Sequence, residues 1–183
     1  MSQTLRYCLA FGLVPLILVV DQLSKAWVLA TPAFNARACL DAPRLCGGIE
    51  VSPIFDLRMV WNRGISFGAL QSDGLMRWFL VVMTLAIAVG FAIWLWRAQR
   101  WLTALSLALV VGGAIGNVID RIRFGAVVDF LDFSGLYFFY VFNVADAAIT
   151  VGAALLFLDQ LLWSRDSRGN ASADTTDPKE DRE

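Results

Sequence analysis

Four apolar stretches, each long enough to cross a membrane, dictate most of what this chain can become. They run roughly over residues 7–29, 75–96, 101–119 and 141–163. At about 1.5 Å per residue in a helix, each spans a hydrocarbon core of about 30 Å. Tyr7, Trp27, Trp78, Trp96, Trp101, Tyr140 and Trp163 stand near their ends, the pattern of an aromatic belt. The chain is 58% hydrophobic with a mean hydropathy of +0.62, far above an ordinary soluble domain. The expectation is an all-α membrane protein: a four-transmembrane-helix bundle with a small extracytoplasmic β-sheet and loop region.

The link at residues 97–100 is very short, so the second and third segments form an antiparallel hairpin. The first connection, about residues 30–74, is long and holds Pro32, Pro43, Pro53 and the Gly47-Gly48 pair. Its middle alternates apolar and polar residues, as a half-buried strand does, which predicts a small sheet lying on the membrane. The second connection, about residues 120–140, ends in Leu136-Tyr137-Phe138-Phe139-Tyr140. Residues 1–163 therefore read as one membrane-embedded domain. Residues 164–183 are polar and apolar-poor and read as a disordered tail. The first segment continues through Asp21 and Lys25 with no convincing A-x-A site, so it is a retained helix rather than a cleaved signal. Arg97 and Arg100 favour a cytoplasmic position for the short link, and with it both termini and the tail. Cys8 reads as a small packing residue. Cys39 and Cys46 lie in the first connection, where a disulfide can form if that loop faces an oxidising compartment.

Net charge is −1, and nothing suggests a nucleic-acid partner. Histidine is absent, which removes Ser-His-Asp and Cys-His catalysis and the commonest metal ligand. Glu occurs only at Glu50, Glu180 and Glu183, so in an enzyme of this composition Asp carries the acid–base work. Ionisable residues are costly in hydrocarbon and are functional candidates by default. Four antiparallel spans bring Asp21, Lys25, Asn62, Arg63, Ser66, Asn117, Asp120, Asn143 and Asp146 to one face. Asp21 and Lys25 are spaced i, i+4, acid first, and can pair on one helix face. Asn-x-x-Asp occurs twice, at Asn117/Asp120 and Asn143/Asp146, so each amide can orient an acid or bond across helices. Asp146 is expected about five residues inside its helix. Gly112, Gly113 and Gly116 form a small-residue pattern suited to helix packing. From spacing, Asp120 and Asp146 are the natural acid pair and Asp129 is the rival; composition and periodicity do not choose between Asp120 and Asp129.

Five motifs stand in order: Asp21-Gln22-Leu23-Ser24-Lys25, Asn62-Arg63-Gly64-Ile65-Ser66-Phe67-Gly68, Gly116-Asn117-Val118-Ile119-Asp120-Arg121, Val127-Val128-Asp129-Phe130 and Phe142-Asn143-Val144-Ala145-Asp146. Together they closely resemble the lipoprotein signal peptidases, or signal peptidase II, over about residues 7–163. The resemblance implies a bacterial inner-membrane aspartic endopeptidase, with its active site at the periplasmic face. Its substrates are prolipoproteins already carrying a diacylglyceryl group, cut just before the lipidated cysteine. The resemblance puts the catalytic acids at Asp129 and Asp146, against the spacing argument for Asp120. Asp120 becomes a structural partner, of Arg121 for example. Supporting positions fall on Asp21, Lys25, Asn62, Gly64, Asn117, Arg121 and Asn143. Ser24 replaces a frequent Thr, and Ile65-Ser66 replaces a frequent Ala-Ala or Ala-Phe; neither touches the two acids.

The expected chemistry is a water held between two carboxylates that share one proton. It calls for no metal or cofactor. The expected partners are the lipidated substrate and membrane lipid, and the expected state is a monomer. A mobile cover over the site is expected from Gly47, Gly48, Gly64 and Gly68. The rival readings are a proton-conducting bundle and a non-enzymatic scaffold. Conduction needs polar groups through the full depth of the membrane, which acids gathered at one face do not supply.

Overall fold

A small-residue helix sits at the centre of the structure, with the other helices and a sheet arranged around it. The computed structural model describes residues 3–36, 39–40, 46–64 and 74–174. In chain order the elements are α1 (Gln3–Ala30), a 3-10 turn (Pro32–Phe34), β1 (Gly47–Ser52), β2 (Phe55–Asn62), α2 (Gly74–Arg97), α3 (Trp101–Phe124), β3 (Val127–Phe133), a second 3-10 turn (Ser134–Leu136), β4 (Phe138–Phe142) and α4 (Val144–Asp174). Each of the four helices is long and apolar enough to cross a membrane.

The spanning window of α3 is 72% buried, against 17–22% for the other three. Small side chains make this possible, because helices in lipid associate through close backbone approach rather than through exclusion of water. A Cβ on Gly113 would lie 2.4 Å from the Ala145 carbonyl oxygen of α4, and one on Gly116 would lie 2.5 Å from Asp21 Oδ2 of α1. The glycine cluster thus brings α1 and α4 against α3 at the level where their polar groups begin. Large apolar side chains such as Leu16, Phe79, Val82 and Phe157 stay exposed on the outer faces, as lipid contact requires.

The four strands form one antiparallel sheet in the order β1-β2-β3-β4. It is therefore built from both long connections. Only the first was expected to carry strands; the second supplies β3 and β4, and Asp129 sits on a strand rather than in a loop. Val28, Phe34, Met59, Trp61, Val128 and Phe130 pack together beneath one face of the sheet. Side chains alternate along a strand, so Asn62 and Asp129 take the opposite face. Val60 lies directly across from Asp129, and Asn62 across from Val127. Cys39 and Cys46 form a disulfide, with Cα atoms 5.5 Å apart.

Helix boundaries differ from the expected ones. α3 runs on to Phe124, because its stop signal is Gly125 in a left-handed conformation (φ 77°), whose N–H bonds the Arg121 carbonyl. Asp120 and Arg121 are therefore helical residues. α4 starts at Val144 rather than 141, since Val141 and Phe142 end β4. It runs through Asp174, into the stretch expected to be disordered, as an established helix extends without a new nucleation cost. The rest of that tail, residues 175–183, lies outside the described residues.

Contact at Gly113 should govern packing. Gly113→Ala forces α4 away from α3 and should cost about 1–3 kcal/mol. A methyl added at Gly90 of α2 would meet nothing within 4 Å, so Gly90→Ala should stabilise by about 0.5–1 kcal/mol through helix propensity. Thermal unfolding of both variants in one detergent checks this; shifts of the same sign would reject the packing argument.

Candidate active site

The first turn of α4 is built around a reciprocal hydrogen-bond pair. Helix N-termini leave several backbone N–H groups without intrahelical partners. Asn143, just before the helix, accepts the Asp146 N–H on its side-chain oxygen at 2.9 Å. Asp146 Oδ2 in turn accepts the Asn143 N–H at 3.3 Å. This is the geometry of a capping box, with Asn and Asp in the roles usually taken by Ser/Thr and Glu/Gln. It places Asp146 in the first turn, closer to the helix end than expected. Asp21 of α1 supplies a further cap, its Oδ1 accepting the Ala145 N–H at 2.9 Å. Asn117 of α3 donates to Asp146 Oδ1 at 2.7 Å.

Asp129 faces the same point from the sheet. Asn143 Nδ2 donates to its Oδ1 at 2.6 Å and Asn62 Nδ2 to its Oδ2 at 2.9 Å. Asn143 thus bonds both Asp129 and Asp146 and sets them side by side. Asp129 is almost fully buried. Burial pushes its carboxyl up from the usual range to about 7, and the nearby Asp146 charge adds to the rise. The Asn62 and Asn143 amides and the Lys25 charge hold it back. A carboxyl that keeps its proton to neutral pH, beside a second carboxyl, has the make-up of an acid–base pair.

Beneath the pair lies a buried ionic cluster. Lys25 Nζ is 2.9 Å from Asp21 Oδ2 and 2.9 Å from Asp120 Oδ2. It also donates to Asn117 Oδ1 at 3.1 Å, so each of its three protons has an acceptor. The i, i+4 pairing of Asp21 and Lys25 is present as expected. Asp120, however, is not a partner of Arg121. Its acceptors are taken by Lys25, by Gln22 Nε2 at 3.0 Å and by the Val128 N–H at 3.2 Å. The last bond fixes the strand one residue before Asp129. Asp120 thus supports Asp129 through the backbone and does not form a pair with Asp146.

Arg121 bonds the Asn117 carbonyl and lies within electrostatic reach of Asp146, Asp129 and Asp120. Gly64 donates its N–H to Asn62 Oδ1 at 2.8 Å and has φ 97°, so it orients the amide that reaches Asp129. Ser66 and Gly68 fall within residues 65–73, outside the described residues. Gln22 had no role from its spacing, yet it bridges Asp21 and Asp120. Its place between the two motif residues of α1 was the available signal.

One expectation needs correction: the buried acids are not all at one face. Asp159 is fully buried near the far end of the spanning part of α4 (Val144–Trp163), paired with Arg100 at 2.8 Å and accepting a hydrogen bond from Thr103. Thr103 and Asp120 are separated by about 25 Å along α3. Between them the buried positions of α3 are Ala104, Leu107, Ala108, Val110, Val111, Ala114 and Val118 with glycines, Ser106 and Asn117. Ser106 bonds the Leu102 carbonyl of its own helix, so the two clusters are separate and do not form a relay among the described residues.

Comparison with known proteins shows the family and the fold. The family described as Signal peptidase (SPase) II matches residues 13–162. A lipoprotein signal peptidase of Caulobacter vibrioides is 42% identical over 163 residues, covering 88% of this chain and 92% of the relative. One from Methylorubrum extorquens is 44% identical over 154 residues, covering 82% and 85%. Two solved bacterial membrane enzymes share the fold, each at 24% identity. One has a TM-score of 0.66 with 95% of this chain and 93% of the other covered; the second has 0.68, with 83% and 92%.

The cluster beneath the acids makes a direct stability test. Lys25→Met leaves Asp21 and Asp120 buried around no cation, and removing one partner of a buried pair costs about 3–5 kcal/mol. Thermal or denaturant unfolding in detergent should show that loss. A change below about 1 kcal/mol would mean the cluster does not hold α1 to α3.

Proposed function

The chain belongs to the signal peptidase II family, a family of aspartic peptidases, and we propose that it removes signal peptides from diacylglyceryl-modified prolipoproteins with Asp129 and Asp146 as its catalytic pair. The observation that carries the assignment is Asn143, whose side chain and backbone bond the two carboxyls at once. The substrate is delivered through the lipid: its acyl chains stay in the bilayer and its signal helix enters sideways between spans. Confinement of both partners to the membrane orients the scissile bond at the interface.

In the proposed reaction, a water sits between the two carboxyls. Asp146 takes one of its protons as the water oxygen attacks the scissile carbonyl carbon. Asp129, still protonated near neutral pH, gives its proton to the carbonyl oxygen. The tetrahedral diol then collapses. Asp146 returns its proton to the departing amide nitrogen of the lipidated cysteine, the C–N bond breaks, and Asp129 recovers a hydroxyl proton. Asn62 and Asn143 hold Asp129 in register through both steps. Arg121 supplies positive charge beside the pair while negative charge builds up.

Two features support the sidedness of this account. The Cys39–Cys46 disulfide beside the sheet suits an oxidising compartment, which for a bacterial inner-membrane protein is the periplasm. Arg97 and Arg100 flank the short α2–α3 link at the other end, as a cytoplasmic link does. The proposed arrangement therefore has a periplasmic site and cytoplasmic termini and tail.

Asp129→Asn and Asp146→Asn should each lower cleavage of a lipidated precursor by at least about 100-fold in detergent, with the fold retained. Turnover within about threefold of the parent in either variant would reject that acid. The pair needs its shared proton, held by Asp129 up to about 7. As pH rises through that value the proton is lost, so kcat should fall on the alkaline side, by about tenfold per unit. A rate profile flat from about pH 6 to about pH 9 would contradict the assignment. Stability follows the same sign. Unfolded Asp releases its proton near 3.8 and folded Asp129 near 7, so the folded chain loses stability as pH climbs between them.

A further inference from the structure

The end of the bundle remote from the aspartates holds a polar assembly that peptide hydrolysis does not use. A groove of about 350 Å³ opens where α2 gives way to α3 and α4 passes alongside; Trp94, Arg97, Gln99, Arg100, Gln160 and Trp163 line it. Arg100 is committed there. Its guanidinium is 2.8 Å from the buried Asp159 carboxylate, donates to the Asp159 carbonyl at 3.0 Å, and lies 5.0 Å from the centre of the Trp163 ring. Within the groove the charges of Arg100 and Asp159 cancel.

Arg97 is different. It is exposed, and its guanidinium has no ion-pair or hydrogen-bond partner among the described residues. Among the described residues the groove therefore carries one uncompensated positive charge on a long side chain between indole walls. Its depth in the bilayer is also defined. Thr103, also on its lining, is about 25 Å along α3 from Asp120, which puts the groove near the opposite edge of the hydrocarbon. Exposed Trp94, Trp96, Trp101 and Trp163 mark the same level as the headgroup zone.

We propose that this groove binds the headgroup of an anionic phospholipid, with Arg97 on the phosphate and the Gln160 amide as a further donor. One net positive charge matches one net negative headgroup. A zwitterionic headgroup would bring its own ammonium against Arg97 and gain less. The acyl chains of such a lipid lie along the exposed faces of α2 and α4. That contact has a structural use: α2 packs on α3 but has little contact with α1 or α4. A lipid seated between α2 and α4 braces the helix that is least held by the protein.

Native mass spectrometry of the full chain in detergent tests this, with phosphatidylglycerol and phosphatidylcholine titrated separately. The parent should hold phosphatidylglycerol about fivefold more tightly, the effect of a single near-surface charge. Arg97→Gln should erase that preference, Arg97→Lys should retain it, and Arg58→Gln, on the remote sheet, should leave it unchanged. Peptidase turnover should stay within about twofold of the parent in Arg97→Gln, which also verifies its fold. Equal binding of the two lipids by the parent, or a preference that survives Arg97→Gln, would overturn the proposal. Displacement of the bound lipid by millimolar inorganic phosphate would also overturn it, by showing a site for free anions.

Discussion

A cation that cannot reach water must be met by the protein, and Lys25 is where this chain faces that demand. Its ammonium is enclosed by Asp21, Asp120 and Asn117, which belong to two different helices. Each of those partners then reaches onward. Asp21 caps α4, Asp120 holds the start of β3, and Asn117 bonds Asp146. One buried charge thus ties α1 to α3 and, through its partners, sets α4 and the sheet. Such pairing is weak evidence for stability, because desolvation of both ions offsets the attraction. Its value here is registration, since its bonds join α1 to α3 and reach on to the start of β3 and the first turn of α4.

The proposed catalytic pair inherits its geometry from that cluster. Asp146 is positioned by the cap of a helix and Asp129 by a strand, with Asn143 spanning the gap between them. These are rigid elements, and rigidity suits two carboxyls that have to share a proton at short range. Burial within the protein contributes a second part. The sheet and bundle keep bulk water from Asp129, and that burial is the largest cause of its retained proton. The fold therefore supplies the electrostatic setting that the proposed acid and base roles of Asp129 and Asp146 require.

Much of this was legible in the residue order. Four spans follow from apolar length, and the Asp21–Lys25 pair follows from i, i+4 spacing. Their convergence with Asn117 and Asp146 follows from antiparallel topology. The proposed choice of Asp129 over Asp120 was not legible from spacing. It depends on strand pairing between two connections distant in sequence, which hydrophobic periodicity does not report. The motif resemblance pointed to Asp129, and the proposal of Asp129 is supported by the hydrogen bonds of Asp120, which is occupied by Lys25, Gln22 and Val128. The strands of the second connection were hidden because Val127, Val128, Phe130 and Leu131 form a nearly continuous apolar run, without the alternation that marks a half-buried strand. The Asn143–Asp146 cap was readable only as shared face, because the helix was expected to begin three residues earlier. Asp159 escaped notice as a single acid in an apolar run, where its partner Arg100 lies on another helix.

The central claim is that one proton is shared by Asp129 and Asp146 near neutral pH. Carbon-13 NMR of carboxyl-labelled aspartate, assigned by difference against Asp129→Asn, reads it directly. The account predicts that the Asp129 resonance titrates with a midpoint near 7, and that replacing Asp146 with Asn lowers that midpoint by removing a neighbouring charge. An Asp129 carboxyl that ionises near 4 like an ordinary aspartate, unmoved by the Asp146 substitution, would contradict it.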